Sequence, residues 1–276
     1  MYPEKSTPVR SGSVTFVGAG PGAADLITVR GLKALSTAEV VLYDSLVSAD
    51  MLKNCPAQAE LVFVGKRAGF HFSVQTEINT LLVHHAKRGL RVVRLKGGDP
   101  TLFGRLGEEI DVLRAAGIPY EIVPGVTAAC AAAAAAGISL TQRTVATSAI
   151  FAPGHECAGK DDGAKIDWAA LAQANATLCL YMGVRRLTLV AEQLVAHGLP
   201  ADTPLAVISD VSLPTQSNRT GTLSDAMALS AAAEGYPSMI LIGQNVRNID
   251  AATAIALAHA SGDPTGSLPA GQIFID

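Results

Sequence analysis

Cysteine is scarce in this chain of 276 residues, and its four cysteines lie far apart. Cys55, Cys130, Cys157 and Cys179 form no CxxC pair and no Cys/His cluster with metal-ligand spacing. Without such spacing there is no basis for a zinc or iron–sulfur site, so we predict no metal. We expect four reduced thiols, most of them buried, in a cytoplasmic protein.

Positive charge is not in excess either, since the formal net charge is −3. A general basic field of the kind that attracts nucleic acid is therefore excluded, and any site for an anion has to be built locally. Long apolar runs are also missing. The longest, residues 125–140, is mostly alanine and is shorter than the roughly 18 residues that a membrane-spanning helix needs. We predict no membrane partner and, because no charged region followed by an apolar run opens the chain, no signal peptide.

The chain is instead rich in short apolar runs that alternate with amphipathic stretches. In the first half we predict strands at residues 13–17, 40–43, 61–64, 91–95 and 120–123. We predict helices between them at residues 25–36, 47–54, 73–88 and 104–116. This alternation is typical of βαβ units and predicts a mainly parallel sheet.

The second half of the chain has fewer regular units, so we expect a mixed sheet there. Its predicted strands are residues 146–152, 177–181, 204–209 and 239–242, and its predicted helices are 187–197 and 224–233. An alanine-rich helix, residues 128–136, leads out of the first half. The predicted fold class is α/β with two α/β domains, at residues 13–139 and 140–250, and with residues 1–12 and 251–276 as tails or a terminal helix.

The segment Gly97-Gly98-Asp99-Pro100 follows one of the predicted strands. Paired glycines let a backbone approach a ligand closely, and a residue before proline is pushed away from helical geometry. Open α/β sheets bind their ligands at the carboxyl ends of strands. We therefore predict a binding loop at this segment.

The turn Gly18-Ala19-Gly20-Pro21-Gly22 closes the first predicted strand and looks like a dinucleotide loop. The dinucleotide fingerprint needs G-x-G-x-x-G opening directly into a helix, whereas the next predicted helix starts near Asp25. A nicotinamide or flavin site is therefore disfavoured. Asp44 ends the second predicted strand and has three interpretations. It is placed like the acid that binds ribose in dinucleotide folds, it is a candidate catalytic acid or base, and it is a candidate N-cap for a helix that begins near Leu46.

Charged residues follow other strand ends. Lys66 and Arg67 form either a solvated basic loop or an anion site. Arg105 and Glu108 are three residues apart and share a helix face, so they form a surface ion pair or a pair that faces a substrate. Thr127, after a Pro-Gly turn, is placed to cap the alanine-rich helix.

Taken in order, these motifs resemble the tetrapyrrole methylase family. The resemblance covers roughly residues 13–250 and is carried by several segments: residues 18–22, 44–48, 65–67, 94–100, 103–105, 108–109, 124–129, 140–143 and 181–183. It implies two α/β domains with S-adenosylmethionine in the cleft between them, S-adenosylhomocysteine as product, and a homodimer. It implies methylation of uroporphyrinogen III at two ring carbons, giving precorrin-2 by way of precorrin-1, a precursor of sirohaem, cobalamin and haem d1.

The resemblance also implies roles for individual residues. The implied cofactor contacts are Pro21, Gly97, Gly98, Asp99, Leu102, Thr127, Ala128 and Met182. Asp44 and Lys66 match a proton acceptor and a proton donor, and Arg105, Glu108 and Arg143 match tetrapyrrole contacts. Since the substrate carries many carboxylates, we add Lys66 and Arg67 as its binding partners and expect Arg105 to orient it.

Three alternatives remain open. The first is a later precorrin methyltransferase of corrin synthesis, which the segments 95–100 and 140–143 disfavour. The second is a nucleotide-binding oxidoreductase, which the glycine spacing disfavours. The third is a non-catalytic binding domain, and the presence of Asp44, Lys66 and Arg105 argues against it. Leu106 stands where the family usually has glycine.

Overall fold

The computed structural model describes residues 12–65, 75–155 and 165–249. Five parallel strands form the sheet of the first unit: β1 (Ser13–Gly18), β2 (Val40–Tyr43), β3 (Glu60–Phe63), β4 (Arg91–Lys96) and β5 (Tyr120–Val123). Their order is β3-β2-β4-β1-β5. The helices between them are α1 (Val29–Leu35), α2 (Ala49–Leu52), α3 (Gln75–Lys87) and α4 (Leu106–Ala115). The predicted parallel sheet is confirmed.

Helices cover both faces of this sheet. On one face Phe16 of β1 packs with Leu82 of α3 and Leu113 of α4. On the other face Val17 packs with Leu35 of α1. Strands that are buried on both sides have nearly continuous apolar sequences, which is why the first half could be assigned from its apolar runs.

The carboxyl ends of the central strands lie level with one another. Val17 of β1 is beside Leu95 of β4 and Val123 of β5, and Tyr43 of β2 is beside Leu95. The chain leaves β1 towards β2 on one side through α1, and leaves β4 towards β5 on the other side through α4. The gap between β1 and β4 is therefore the topological switch point, where open α/β sheets bind ligands.

The second unit contains a mixed sheet, as predicted. Its strands are β6 (Ser148–Pro153), β7 (Ala176–Tyr181), β8 (Pro204–Ser209), β9 (Ser217–Thr222) and β10 (Ser238–Ile242), in the order β6-β7-β10-β8-β9. β6 and β7 pair in parallel, and the other described pairings are antiparallel. The helices are α5 (Ala128–Ala135), α6 (Trp168–Gln173), α7 (Leu187–Ala196) and α8 (Ala226–Ala232).

Contacts divide the chain into Met1–Thr127 and Ala128–Asp276. Helix α5 belongs to the second unit in this division because it contacts β10, whereas the sequence placed it before a boundary at 139/140. On one face of the second sheet, Leu187 of α7 and Leu229 of α8 pack against Leu180 and Ile240. Within the three described ranges, no helix is both long enough and apolar enough to cross a membrane.

The predicted helix over residues 25–36 is divided into a 3₁₀ turn, Ala24–Leu26, and helix α1. The Thr28 hydroxyl accepts a hydrogen bond of 3.1 Å from the Gly31 amide, so Thr28 is the N-cap of α1. A capping threonine has extended backbone geometry, which prevents one continuous helix here.

The prediction that Asp44 caps a helix beginning near Leu46 is wrong. Helix α2 begins at Ala49, and its cap is Ser48, whose Oγ accepts a 3.3 Å hydrogen bond from the Met51 amide. An aspartate also closes non-helical turns by accepting from the amide two residues ahead, and Asp44 does this.

His85 of α3 is buried in the first unit. Its burial makes the free energy of unfolding depend on pH. His85 is 4% exposed, and its Nδ1 has no hydrogen-bond partner within the part of the chain that the structure describes. Burial lowers the pKa of His85 below 6.5, and the Glu60 carboxylate, 3.9 Å from Nδ1, only partly opposes this. The unfolded chain therefore takes up this proton at higher pH than the fold does, and stability is lost as pH falls below about 6.5.

We predict that His85→Leu makes the free energy of unfolding less dependent on pH between about 7 and 5 than it is in the wild type. Urea denaturation at several pH values measures this. His197→Gln, at an exposed histidine of the second unit, is measured alongside for comparison. The same pH dependence in His85→Leu as in the wild type would contradict the prediction.

Candidate functional site

Three glycine-containing loops meet at the switch point between β1 and β4. A Cβ added to Gly125 would collide with the carbonyl oxygen of Gly98 and lie 2.8 Å from the Cα of Gly18. Gly20 and Gly98 exchange two backbone hydrogen bonds, with N–O distances of 3.2 and 2.7 Å. The loops that follow β1, β4 and β5 are therefore in backbone contact, which only glycine permits at these positions.

Gly98 leaves space beside the main chain. Its φ is +66°, a conformation that favours glycine, and no heavy atom of the described residues lies within 4 Å of the place where a Cβ would be. Gly97 differs, since a Cβ there would lie 2.6 Å from the Cβ of Leu46. Gly97 thus allows the loop after β2 to pack closely, and Gly98 leaves its backbone open to a ligand.

Asp99 holds two of these loops together. Its Oδ2 accepts a 3.0 Å hydrogen bond from the amide of Gly125, and its Oδ1 accepts from the amide and the hydroxyl of Thr101 at 2.8 and 2.5 Å. Bonds to an ionised carboxylate are stronger than neutral ones. These three bonds give Asp99 a structural role. A carboxylate has about four acceptor positions, so one is left for the predicted contact with the cofactor.

Asp44 connects the loop after β2 to the loop after β4. Its Oδ1 accepts a 3.0 Å hydrogen bond from the Leu46 amide, and its Oδ2 accepts a 3.3 Å bond from the Gly97 amide. The half-buried carboxylate therefore lies next to the glycine loops. A proton acceptor at this edge of the sheet has to lie in such a place.

A buried network of three charged residues lies at the end of β4. Glu109 of α4 is 0% exposed; its Oε2 is 2.6 Å from Nζ of Lys96, and its Oε1 is 3.0 Å from Nε of Arg94. Burial lowers the pKa of Lys96, and the Arg94 guanidinium lowers it further, while the carboxylates of Glu109 and Asp44 act in the opposite direction. We call these three residues the buried charge network.

The sequence analysis missed this network, although a signal was present. Arg94 and Lys96 alternate with Leu95 in a strand that is buried on both faces. Alternate residues of a strand share one face, and buried cations need a buried carboxylate partner. Two cations at this spacing in a central strand could have indicated that Glu109 points inward.

Arg105 and Glu108 form the predicted pair at the start of α4. Nε of Arg105 donates to Oε1 at 2.8 Å and Nη2 donates to Oε2 at 2.7 Å, with side chains 58% and 52% exposed. Arg105 and Phe103 both have left-handed backbone geometry, with φ of 52° and 53°. Such conformations cost about 1–3 kcal/mol each and are concentrated at functional sites.

In the second unit, hydrogen bonds hold the chain next to the predicted residues Ala128 and Met182. The amide of Ala129, in the first turn of α5, donates a 3.3 Å hydrogen bond to the hydroxyl of Tyr181. Met182 follows with a left-handed φ of 56°, and its carbonyl oxygen is 3.0 Å from Nδ1 of His155. Because a carbonyl only accepts, His155 donates from Nδ1, which fixes the backbone of Met182.

Arg143 lies in a tight turn of the second unit. Gln142 and Ala146 exchange backbone hydrogen bonds of 2.7 and 3.0 Å on either side of it. The buried Asn245 donates from Nδ2 to the carbonyl of Leu140 at 3.1 Å, which fixes the start of this segment. The turn therefore holds Arg143 in a defined position.

A polar cluster that the sequence analysis did not include follows β8. Asp210 and Ser212 have left-handed φ values of 50° and 66°. Thr215 donates a 2.8 Å hydrogen bond to Asp210, and Arg219 of β9 donates to Ser217. No apolar periodicity marks these residues, so they were not selected from the sequence pattern.

Comparisons with known proteins agree with the order of the motifs and with the loops at the switch point. Residues 13–227 match the family described as Tetrapyrrole (Corrin/Porphyrin) Methylases. The chain belongs to this family. The resemblance that its motifs indicated is confirmed.

Among curated relatives of this methylase, a siroheme synthase of Actinobacillus pleuropneumoniae serotype 7 is 50% identical over 236 residues, which are 86% of this chain and 48% of the relative. A siroheme synthase of Neisseria meningitidis serogroup B is 48% identical over 237 residues, 86% of this chain and 48% of the relative. The chain thus spans about half the length of the curated relatives it matches.

Solved structures of similar proteins support the fold assignment of the methylase. Uroporphyrin III C-methyltransferase of Thermus thermophilus superposes with a TM-score of 0.72 at 36% identity, covering 85% of this chain and 99% of that one. The complex of the Thermus thermophilus enzyme with S-adenosylhomocysteine has the same values. A cobalt-precorrin-4 methyltransferase has a TM-score of 0.74 at 31% identity, covering 85% of this chain and 95% of that one.

Most residues predicted for the site of the methylase lie at the carboxyl edge of the first sheet. These are Pro21, Asp44, Gly97, Gly98, Asp99, Leu102, Arg105, Glu108 and Thr127. The second unit contains Ala128, Arg143 and Met182. Lys66 and Arg67 lie outside the described residues. Leu106, the departure from the family pattern, is the first residue of α4 and packs in the core with residues of α3. The part of the chain that the structure describes holds no cluster of potential metal ligands.

Proposed function

We propose that this methylase transfers two methyl groups from S-adenosylmethionine to uroporphyrinogen III, giving precorrin-2 by way of precorrin-1. The observation that carries the proposal is the arrangement at the switch point, where Gly98 leaves open backbone next to Gly97, whose amide donates to Asp44. The similarity to a uroporphyrin III C-methyltransferase supports the same substrate.

The residues at the switch point fit S-adenosylmethionine better than a dinucleotide. The loop after β1 pairs with Gly98 through its backbone and does not open into a helix. A 3₁₀ turn at Ala24–Leu26 separates the glycines from helix α1, which begins only at Val29 and has its own cap. No α-helix N-terminus therefore directly follows the glycines to bind a pyrophosphate. S-adenosylmethionine has no pyrophosphate, so its binding does not need such a helix N-terminus. We propose Pro21, Gly97, Gly98, Asp99, Leu102, Thr127, Ala128 and Met182 as its contacts.

S-adenosylmethionine supplies a methyl group on a sulfonium, which leaves as a neutral thioether when an electron-rich ring carbon attacks the methyl. The chain has to hold the two partners in line, and such positioning contributes up to roughly 7–11 kcal/mol in ideal cases. The methylated macrocycle must also lose a proton. We propose Asp44 as the acceptor because its carboxylate lies at the glycine loops, and general bases of this kind contribute about 10²–10⁴-fold.

Local cations are proposed to bind the carboxylates of uroporphyrinogen III. The Arg105 guanidinium is oriented by its two hydrogen bonds to Glu108, and arginine pairs with carboxylates in a fixed, two-pronged geometry. We propose the same role for Arg143, Arg67 and Lys66, with Lys66 also as proton donor. We also propose that the protein forms a homodimer and acts in the cytoplasm.

A later precorrin methyltransferase is the second candidate, favoured by the similarity to a cobalt-precorrin-4 methyltransferase. A competition assay separates the two: uroporphyrinogen III and a later precorrin are offered together with labelled S-adenosylmethionine, and the products are separated by chromatography. Label in the uroporphyrinogen-derived product supports the proposal. Label only in the product of the later precorrin contradicts it.

A further inference from the structure

The buried charge network connects three segments of the proposed site in the first unit. Lys96 directly precedes Gly97, and Glu109 directly follows Glu108. Nη1 of Arg94 donates to the carbonyl of Leu42, two residues before Asp44, at 3.4 Å. The network therefore joins the cofactor loop, the start of α4 and the end of β2.

The side chain of Lys96 also contacts the segment that leads to Arg105. A Cβ added to Gly104 would lie 3.0 Å from Cε of Lys96 and 2.8 Å from the carbonyl oxygen of Pro100. Gly104 thus rests directly on the lysine stem. The position of Arg105, one residue later, depends on where this stem is held.

Packing alone does not explain three charged side chains at this place. Arg94, Lys96 and Glu109 are at most 5% exposed, and together they carry one excess positive charge, from two cations and one carboxylate. Burying charges is costly, and apolar side chains of similar volume often stabilise a fold as well or better. What hydrogen-bonded charges add is a defined geometry between the segments they join.

We propose that Lys96 and Glu109 are positioning residues for methyl transfer, which hold Asp44 and the Arg105–Glu108 pair in register with the loop at residues 97–99. This inference rests on the proposed function. The loop also has bonds that do not involve the network, from the backbone of Gly20 and from the Gly125 amide to Asp99. Loss of the network should therefore impair turnover and leave cofactor binding in place.

The test uses three variants of the full chain. Lys96→Met removes the excess charge and keeps the pair between Arg94 and Glu109. Lys96→Arg keeps the charge. Lys53→Met is the matched control, because Lys53 forms an ion pair of the same 2.6 Å length with Asp50 on the surface. For each variant, kcat, KM for uroporphyrinogen III, the Kd of S-adenosylhomocysteine, and amide hydrogen exchange over residues 97–109 are measured below the melting temperature.

We expect Lys96→Met to lower kcat by about 10–100-fold, since misplacement of reacting groups by about 1 Å costs on the order of 10²-fold. Its Kd for S-adenosylhomocysteine should stay within about twofold of the wild type, and hydrogen exchange over residues 97–109 should rise. Lys96→Arg should recover most of kcat, and Lys53→Met should match the wild type.

An unchanged kcat in Lys96→Met would overturn the inference, as would equal losses in Lys96→Met and Lys96→Arg together with weaker cofactor binding, which indicate a packing role. A wild type that methylates no tetrapyrrole sinks the proposed function instead. In that event hydrogen exchange still decides whether Lys96 orders residues 97–109, and no change there overturns the positioning role as well.

Discussion

Replacing Arg105 with alanine is expected to lower kcat/KM for uroporphyrinogen III by about 10²-fold or more, while the Kd of S-adenosylhomocysteine changes by less than about twofold. Hydrogen bonds between charged groups contribute about 1.5–3 kcal/mol each, and a two-pronged contact to a substrate carboxylate has two of them. Because tenfold corresponds to about 1.4 kcal/mol, their loss accounts for the expected drop. Steady-state kinetics and calorimetric titration measure the two quantities.

The control for this variant is Arg105→Lys, which keeps the charge but not the planar fork, and we expect an intermediate loss. Stability should change little in either variant, because exposed ion pairs such as Arg105–Glu108 contribute about 0–1 kcal/mol. If Arg105→Ala weakened binding of S-adenosylhomocysteine instead of turnover, Arg105 would belong to the cofactor half of the site.

Replacing Gly125 with alanine is expected to weaken binding of S-adenosylhomocysteine by about 10²-fold and to destabilise the first unit by about 1–3 kcal/mol, the usual cost of overpacking. The added Cβ would collide with the carbonyl of Gly98 and crowd the Cα of Gly18. Since backbone atoms are on all sides, the loops have to separate, and the bond from the Gly125 amide to Asp99 is strained or lost. Calorimetric titration and urea denaturation give the two values.

Gly107→Ala is the matched control for Gly125→Ala. Gly107 lies in α4, and no heavy atom of the described chain is within 4 Å of its added Cβ. Alanine is preferred over glycine in a helix by about 1 kcal/mol, so this variant should be slightly more stable and should bind S-adenosylhomocysteine normally. Normal binding in Gly125→Ala would contradict the close contact of the three loops as the basis of the cofactor site.

The first sheet and its loops were predictable because their causes are local. Strands such as β4 are buried on both faces, so their apolar runs stand out, and the segment at residues 97–100 lies at the end of one of them. By contrast, β9 is polar from Ser217 to Thr222 and has no apolar alternation. It pairs with β8 through backbone hydrogen bonds, and such pairing leaves no pattern of side chains in the sequence.

Parts of the site depend on contacts between residues distant in sequence. Asp44 and Gly97 are adjacent only because β2 and β4 are neighbours in the sheet. Glu109 and Glu108 are neighbours in sequence, yet Glu109 is fully buried and Glu108 is half exposed. Helical spacing shows which residues share a face, but the order of strands determines which face of α4 is covered.

The measurement that tests the central claim most directly is the mass of the product formed from uroporphyrinogen III and S-adenosylmethionine under anaerobic conditions. The account predicts a macrocycle that gains two methyl groups, with a singly methylated intermediate at early times and two molecules of S-adenosylhomocysteine released for each product. No methyl transfer to the macrocycle, together with tight binding of NAD(P), would contradict the account and support a dinucleotide-binding role.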